Sequence, residues 1–136
     1  MSENDTCERG NDRFNDDLRR IEDEFIHSSM DILESITSSA TCQVKLTTEF
    51  TAICPTDGHR DQYDLLIEYE PNGRLIELES LGEFIDQFSG EVVSQEGICT
   101  FIHKLLGTHF GFENLTVRVT GEHYGIEAVT EVQRVE

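Results

Sequence analysis

A cysteine and an aspartate flank one predicted loop, and they carry the clearest candidate chemistry in the sequence. Cys54 follows a stretch of alternating apolar and polar residues, and Asp61 stands seven residues later in the segment CPTDGHRD. Proline cannot donate to a strand ladder and Asp-Gly favours a turn, so both side chains can face one pocket. A thiolate is a nucleophile, and a carboxyl group can give or accept a proton. The pattern alone is compatible with a catalytic pair, but a cysteine before a proline is more often just a small packed residue.

A possible metal site lies further along the chain, on a predicted helix. Cys99 and His103 are four residues apart, and His109 is nearby. Two ligands at this spacing are not the three or four that zinc requires. Cys99 also stands among apolar residues, beside Ile98 and Ile102. We therefore predict a packed cysteine here and no metal.

The elements that must position these residues follow from apolar periodicity and turn signals. An amphipathic helix is predicted over residues 11–38, after an acidic tail, and Ser94 or a neighbour is the predicted cap for a helix that ends near Leu106. The full prediction is strands over 43–53 and 62–70, an extended piece over 74–79, helices over 80–88 and 94–106, and strands over 114–120 and 126–134. Two hairpins that flank a helical pair predict an α+β fold, an antiparallel sheet with helices on one face. We expect two regions, the tail and N-terminal helix over 1–41 and a catalytic domain over 42–136.

The composition is strongly acidic, with 28 Asp and Glu against 10 Lys and Arg and a net charge of -18. Such a charge repels nucleic acid and anionic membranes in ordinary salt. It is also typical of proteins from salt-loving archaea and their viruses, in which salt would screen that repulsion. No apolar run marks a signal peptide or a membrane span, so a cytoplasmic location is expected. The cysteines form no Cys-x-x-Cys pair and are interpreted as thiols: Cys7, Cys42, Cys54 and Cys99.

The longer pattern from residue 54 to residue 106 resembles the 7-cyano-7-deazaguanine reductase family, known as QueF, of the tunnelling-fold superfamily. The similarity extends over roughly residues 43–133 and includes the ββααββ order. The matching motifs are Cys54-Pro55, Asp61, Tyr69-Glu70-Pro71, Ile76-Glu77-Leu78 and Gln95-Glu96.

The resemblance implies a role for each matching residue. Cys54 would attack a nitrile carbon to form a covalent thioimide, and Asp61 would protonate the nitrile nitrogen. Glu96 would hold the base, since a carboxylate can accept two N–H bonds from a guanine-like edge. Further contacts to the substrate would come from Ile76, Glu77, Leu78 and Gln95.

The departures from the family pattern concern the cofactor. The reductases carry the signature Glu-x-Lys-Ser-x-Lys, in which the two lysine positions are occupied here by Glu79 and Gly82. The arginine after the family's later Ser-Phe is Ser89 here, and the histidine before the distal glutamate is Gln95. Binding the phosphates of NADPH needs cationic donors, and a glutamate in such a place would repel them.

These departures are similar to the shorter archaeal branch of the family, in which ammonia rather than hydride attacks the thioimide. The implied product is the formamidino group of archaeosine in transfer RNA, formed without a cofactor. Nitrile reduction with NADPH, as in the queuosine pathway, is the alternative. A third interpretation is a non-catalytic module that binds a deazaguanine base or takes part in assembly.

The resemblance also implies a homo-oligomer, since members of the superfamily join sheets edge to edge into rings, with pockets between subunits. Two stacked pentamers are one such assembly. The nitrile base could be free or carried in tRNA or DNA. A polynucleotide partner requires high salt or a gathering of cations on one face, from Lys45, Lys104, Arg118 and Arg134.

Overall fold

A four-stranded antiparallel sheet forms the frame of the chain in the computed structural model, which describes residues 32–133. The strand order is β2-β3-β5-β6. Two helices follow one another between the second and third of these strands. The elements are β1 (Ser35–Thr37), β2 (Val44–Ile53), β3 (Arg60–Tyr69), β4 (Arg74–Ile76), α1 (Leu78–Asp86), a 3-10 turn (Gln87–Gly90), α2 (Gln95–Phe110), β5 (Thr116–His123) and β6 (Ile126–Val132).

Strand alternation separates a buried face of the sheet from an open one. On β3 the side chains of Tyr63, Leu65 and Ile67 are buried, while Asp64 between them is exposed. Successive strand residues point to opposite faces, so the buried set packs against the helices and the polar set faces outward. The same division extends across the whole sheet. Residues that are paired across neighbouring strands point to the same face, so the partners of buried β3 residues on β2 and β5, and their partners on β6, also point toward the helices.

Both helices have clear end signals. The Ser94 hydroxyl accepts a hydrogen bond from the Gly97 amide at 3.0 Å, so Ser94 caps α2 as the sequence predicted. Gly111 ends that helix in the left-handed conformation, at φ 73°. The helix reaches Phe110, one turn beyond the predicted end near Leu106, because its apolar face continues into the core.

The stretch before β2 differs from the prediction of a helix over residues 11–38. Residues 35–37 form strand β1, which pairs antiparallel with β4. The Glu34 carbonyl accepts from the Glu77 amide at 3.0 Å, and Leu33 is buried in the core. The β-branched Ile36 and Thr37 favour an extended backbone, and β4 offers it a hydrogen-bonding partner. The acidic tail and most of the predicted N-terminal helix lie outside the described residues.

The predicted α+β layout is confirmed, including the ββααββ order of residues 44–132. Within the described part of the chain, no helix is long and apolar enough to span a membrane. The layout brings the end of β2, the start of β3, the end of β5 and the start of α2 to one edge of the domain.

Candidate active site

Cys54 lies in a loop whose backbone is held on both sides. Its amide donates to the His59 carbonyl at 2.8 Å, and its carbonyl accepts from the Gly58 amide at 2.9 Å. The preceding residue, Ile53, is bonded through its amide to the Glu91 carbonyl and through its carbonyl to the Val93 amide. Cys54 itself is half-buried. The loop therefore presents a partly accessible thiol from a fixed backbone.

Asp61 stands near the beginning of β3, opposite Ala52 at the end of β2, and points to the helix side of the sheet. Its Oδ2 atom lies 3.4 Å from the Tyr63 hydroxyl and 3.4 Å from Nδ1 of His123. The Tyr63 ring is buried, with 2% of its surface exposed. Strand alternation thus places the carboxylate directly beside two groups that can exchange a proton with it.

The pKa of Tyr63 shows which charges surround its hydroxyl. Burial raises this pKa above its ordinary value, and the charges of Asp61, Cys54 and Glu96 and the hydrogen bond to Asp61 raise it further. The charges of three residues that the sequence predicted for one site therefore all raise the pKa of the Tyr63 hydroxyl. Cys54 follows the end of β2, Asp61 lies at the beginning of β3 and Glu96 lies in the first turn of α2, so all three are at the same edge of the domain.

Glu96 and Gln95 occupy the first turn of α2 and point to different surroundings. Glu96 is exposed, and Gln95 is 4% exposed. The Gln95 amide nitrogen donates to the Val119 carbonyl at 2.9 Å and to the Ala128 carbonyl at 2.8 Å. Its oxygen lies 2.8 Å from Nε2 of His123. Gln95, which the sequence predicted as a substrate contact, is thus bonded to the sheet and to a histidine.

Comparison with known proteins finds several 7-cyano-7-deazaguanine reductases that are similar to part of this chain. The NADPH-dependent 7-cyano-7-deazaguanine reductase of Sulfurimonas denitrificans is 33% identical over 58 residues, 43% of this chain and 46% of the relative. The reductase of Frankia casuarinae is 35% identical over 71 residues, which is 52% of this chain and 57% of the relative. That of Syntrophobacter fumaroxidans is 38% identical over 64 residues, which is 46% of this chain and 41% of the relative. The chain spans about half the length of the curated relatives that it matches. No family model matches it.

A solved structure, the apo form of the archaeosine synthase QueF-Like, superposes with a TM-score of 0.67 at 20% identity. The match covers 71% of this chain and 96% of that one. The resemblance to the QueF family is confirmed. The tunnelling fold predicted from that resemblance is confirmed as well, since the QueF-like neighbour and this chain share their α+β architecture.

The QueF motif at residues 76–78 lies at the opposite end of β3 from Asp61. The Ile76 amide donates to the Tyr69 hydroxyl at 3.0 Å, and Tyr69 ends the strand. Asp61 and Tyr69 are eight positions apart on the strand, which is about 26 Å at roughly 3.3 Å per residue. Within one chain, therefore, Ile76, Glu77 and Leu78 are not brought to Cys54.

The Glu77 carboxylate is already hydrogen-bonded, to backbone amides of the helix that follows it. It caps α1 and accepts from the Glu79 and Ser80 amides, each at 2.8 Å. These two bonds lower the pKa of Glu77 below its usual value. Leu78 is 60% exposed. Both predicted contact residues thus lie on the surface at the beginning of α1.

Sequence reasoning missed Asp57 and Tyr124, which meet beside Cys54. The Tyr124 hydroxyl donates to Oδ2 of Asp57 at 2.6 Å, and the His59 amide donates to Oδ1 at 2.9 Å. These two bonds, with smaller contributions from the Cys54 thiol and the charge of His59, lower the pKa of Asp57 to about 2. Asp57 therefore carries its negative charge next to the thiol throughout the neutral range.

The β5–β6 hairpin holds Tyr124 in this place. Tyr124 and Gly125 have φ values of 55° and 79°, and two successive positive values are typical of a type I′ turn. A tyrosine in that region is strained, since its Cβ crowds the backbone. The Tyr-Gly pair between two strands was a turn signal in the sequence, but its contact with the Cys54 loop depends on the tertiary fold.

The rival metal site does not form as a group. Cys99 lies 3.3 Å from the Val117 carbonyl, and His103 Nε2 lies 3.1 Å from the Leu115 carbonyl. Burial raises the pKa of Cys99 to about 11. Among residues 32–133 no cluster of three His, Cys, Asp or Glu side chains could hold a metal ion. Cys99 packs in the core, as predicted.

Proposed function

We propose that this chain is a nitrile-processing enzyme that acts on 7-cyano-7-deazaguanine through a thioimide at Cys54. The observation that carries the proposal is that Cys54 after β2, Asp61 at the beginning of β3 and Glu96 in the first turn of α2 lie at one edge of a QueF-like fold. The similarity to 7-cyano-7-deazaguanine reductases and to an archaeosine synthase supports the same substrate class.

The chemistry follows from the positions of the thiol and the carboxylate. The thiol of Cys54 passes its proton to Asp61, and the sulfur forms a bond to the nitrile carbon. Asp61 returns the proton to the nitrile nitrogen, which turns the C≡N bond into C=N. Glu96 accepts N–H bonds from the base, so that the nitrile is aimed at the sulfur. Tyr63 donates to Asp61 and stays protonated, because burial and its neighbours raise its pKa.

We infer that ammonia is the second reactant. It adds to the thioimide carbon, the C–S bond breaks, and an amidine leaves while the thiol is restored. Carbon is neither oxidised nor reduced in this sequence, so no redox cofactor is needed. The resulting group is that of archaeosine.

The residues at the reductase cofactor motif do not fit the phosphates of NADPH. The amides at the beginning of α1, which could bind an anion, are capped by the Glu77 carboxylate. The Ser80 hydroxyl donates to the Glu77 carbonyl at 2.8 Å and accepts from the Glu34 amide at 3.0 Å. Glu79 and Gly82 stand where the family has lysines. This segment therefore presents negative charge and internally paired groups to any phosphate.

Reduction with NADPH is the second candidate, because the curated relatives carry that activity in their names. The two reactions share the thioimide and differ in what attacks it. We propose for either case a homo-oligomer, such as a pentamer pair, because the motif at residues 76–78 begins at the far end of β3 from Asp61. A second copy could bring the two ends of the sheet to one substrate.

The distribution of charge bears on whether the base is free or part of tRNA or DNA. On the open face of the sheet Lys45 lies 3.9 Å from Glu68, and Arg118 lies 2.7 Å from Glu131. Each of these cations is thus paired with a carboxylate. We propose the free base as the substrate at ordinary salt, and a polynucleotide only where salt screens the acidic surface.

The test is to incubate the full chain with 7-cyano-7-deazaguanine and either ammonium or NADPH, and to identify the products by mass. We expect the amidine with ammonium and no product with NADPH. Cys54→Ala is the control and should give neither. Aminomethyl product with NADPH alone would contradict amidine formation, and tight base binding without product or adduct would favour a non-catalytic module.

A further inference from the structure

His123 is a half-buried histidine whose two ring nitrogens face different partners in the candidate site. Nε2 lies 2.8 Å from Oε1 of Gln95, and Nδ1 lies 3.4 Å from Oδ2 of Asp61. The histidine is the last residue of β5, on the same face of the sheet as Asp61 and Tyr63. It therefore links the first turn of α2 to the carboxylate at the beginning of β3.

The orientation of Gln95 is fixed by the backbone around it. Its amide group has two N–H bonds to donate, and the two carbonyls at 2.9 and 2.8 Å, of Val119 and Ala128, accept both. The oxygen must then be the atom that faces His123. An oxygen can only accept, so the imidazole must donate to it from Nε2.

The tautomer of His123 follows from this constraint. With the Nε2 proton held by Gln95, the neutral ring has an unprotonated Nδ1 that faces a carboxylate oxygen. Two lone pairs at that distance repel each other unless a proton lies between them. A proton on either Asp61 or Nδ1 of His123 removes that repulsion and makes the contact favourable.

We propose that His123, oriented by Gln95, is the positioning residue that supplies and removes the proton of Asp61. This inference rests on the proposed function. Both His123 and Tyr63 contact Oδ2, so the carboxyl group would exchange its proton with the substrate through Oδ1. In the first step the pair accepts the proton of the Cys54 thiol, and in the second it gives that proton to the nitrile nitrogen, with no net gain or loss.

Two other observations support a fixed place for His123. The centroids of the Tyr63 and His123 rings are 5.9 Å apart, so the imidazole packs on the buried phenol. Gly121 lies two residues before His123. A Cβ at this position would lie 2.5 Å from the Tyr63 ring, so the absence of a side chain lets β5 pack closely on Tyr63. Residue 95 is a glutamine here, whereas the reductase family that the sequence resembles has a histidine. In this fold the imidazole of His123, on β5, lies against Gln95.

The charges that bear on the pH behaviour of His123 come from several elements. By strand alternation Glu122 and its register partner Glu127 lie on the opposite face of the sheet. Titratable and charged groups at this edge include Arg60, Asp61 and Tyr63 on β3, Cys54, Asp57 and His59 in the loop, Glu91 and Glu96 near the beginning of α2, and Tyr124 in the hairpin.

The test uses His123→Gln, which keeps an N–H donor for Gln95 but has no titrating nitrogen beside Asp61. The rate of adduct formation on Cys54 with 7-cyano-7-deazaguanine is measured by intact mass from pH 5 to pH 9. We expect a fall of about 10- to 100-fold above pH 7 that narrows toward pH 5, where solvent protonates Asp61 directly. The affinity for the base should change less than about twofold. His109→Gln, at the distant end of α2, is the matched control and should behave as wild type.

A rate loss that is equal at every pH, or a loss of base affinity with it, would mean a structural role and overturn the proposal. An unchanged rate would overturn it too.

Nitrogen NMR of the imidazole provides a readout that needs no activity. We expect the neutral ring to carry its proton on Nε2, and Asp61→Asn to shift the Nδ1 signal more than the Nε2 signal. A proton on Nδ1 of the neutral ring would overturn the inference. Absence of any adduct in the wild-type chain would instead contradict the proposed function.

Discussion

At the scale of single residues, the Cys54 loop is joined to the β5–β6 hairpin by one hydrogen bond between side chains. The Tyr124 hydroxyl donates to Asp57 at 2.6 Å, although 81% of the Tyr124 surface is exposed. Asp57 in turn contacts the Cys54 thiol and the His59 amide. The position of the nucleophile therefore depends on a residue 70 positions further along the chain.

Tyr124→Phe tests this connection through acid stability. The pKa of Asp57 is lowered from 3.8 to about 2, chiefly by the Tyr124 hydroxyl. Because the folded-state pKa is depressed, the ionised carboxylate stabilises the folded chain above about pH 4, and that contribution is lost as pH falls toward 2. In Tyr124→Phe we expect the pKa of Asp57 to rise toward 3.8 and the midpoint of acid unfolding to move to higher pH.

Carbon-detected NMR of the Asp57 carboxyl group and circular dichroism during acid titration provide the two measurements. The control is Tyr124→Phe in an Asp57→Asn background, where the acceptor is already neutral and no further shift in the midpoint should appear. A pKa of Asp57 that stays near 2 in Tyr124→Phe would contradict this account.

At the scale of elements, local patterns predicted the strands and helices well, and the missed features depend on contacts distant in sequence. Apolar alternation located β2 and β3 to within two residues, and Ser94 predicted the beginning of α2. The pairing of β1 with β4 was not predictable, since residues 32–36 also fit a helical spacing and β4 supplies the competing partner. Likewise, nothing local in the sequence indicated that His123 would lie against Gln95.

Gly121 tests how tightly β5 packs on β3. A Cβ at Gly121 would lie 2.5 Å from the Tyr63 ring, and a fully buried ring has little room to move. We expect Gly121→Ala to lower the free energy of unfolding by about 1–3 kcal/mol, the usual cost of overpacking. Urea denaturation followed by circular dichroism gives the value.

Gly107→Ala is the matched control, because it adds the same methyl group inside α2. Its nearest neighbour would be Leu115 Cδ2 at 4.0 Å, an ordinary contact. Alanine is a better helix former than glycine, so this variant should be more stable by roughly 0.5–1 kcal/mol. If Gly121→Ala were as stable as Gly107→Ala, the close packing of Tyr63 under β5 would be wrong.

At the scale of the whole molecule, the candidate site is divided between two ends of one sheet. Cys54, Asp61 and Glu96 lie at one edge of the domain, and the motif at residues 76–78 begins at the far end of β3, where Ile76 is bonded to Tyr69. The sequence could match these motifs in order, but order along the chain does not give distance in space. The motifs located Cys54 and Asp61 as candidates, and the chemistry at this pair and the assembly of the substrate pocket remain proposals.

The central claim is the bond between the Cys54 sulfur and a nitrile carbon. Its most direct test is the intact mass of the full chain after exposure to 7-cyano-7-deazaguanine with no second reactant. We predict a gain equal to one base, lost in Cys54→Ala, strongly slowed in Asp61→Asn, and retained in Cys42→Ala, which removes an exposed thiol outside the site. A folded wild-type chain with no gain in mass, or a gain that persists in Cys54→Ala, would contradict the account.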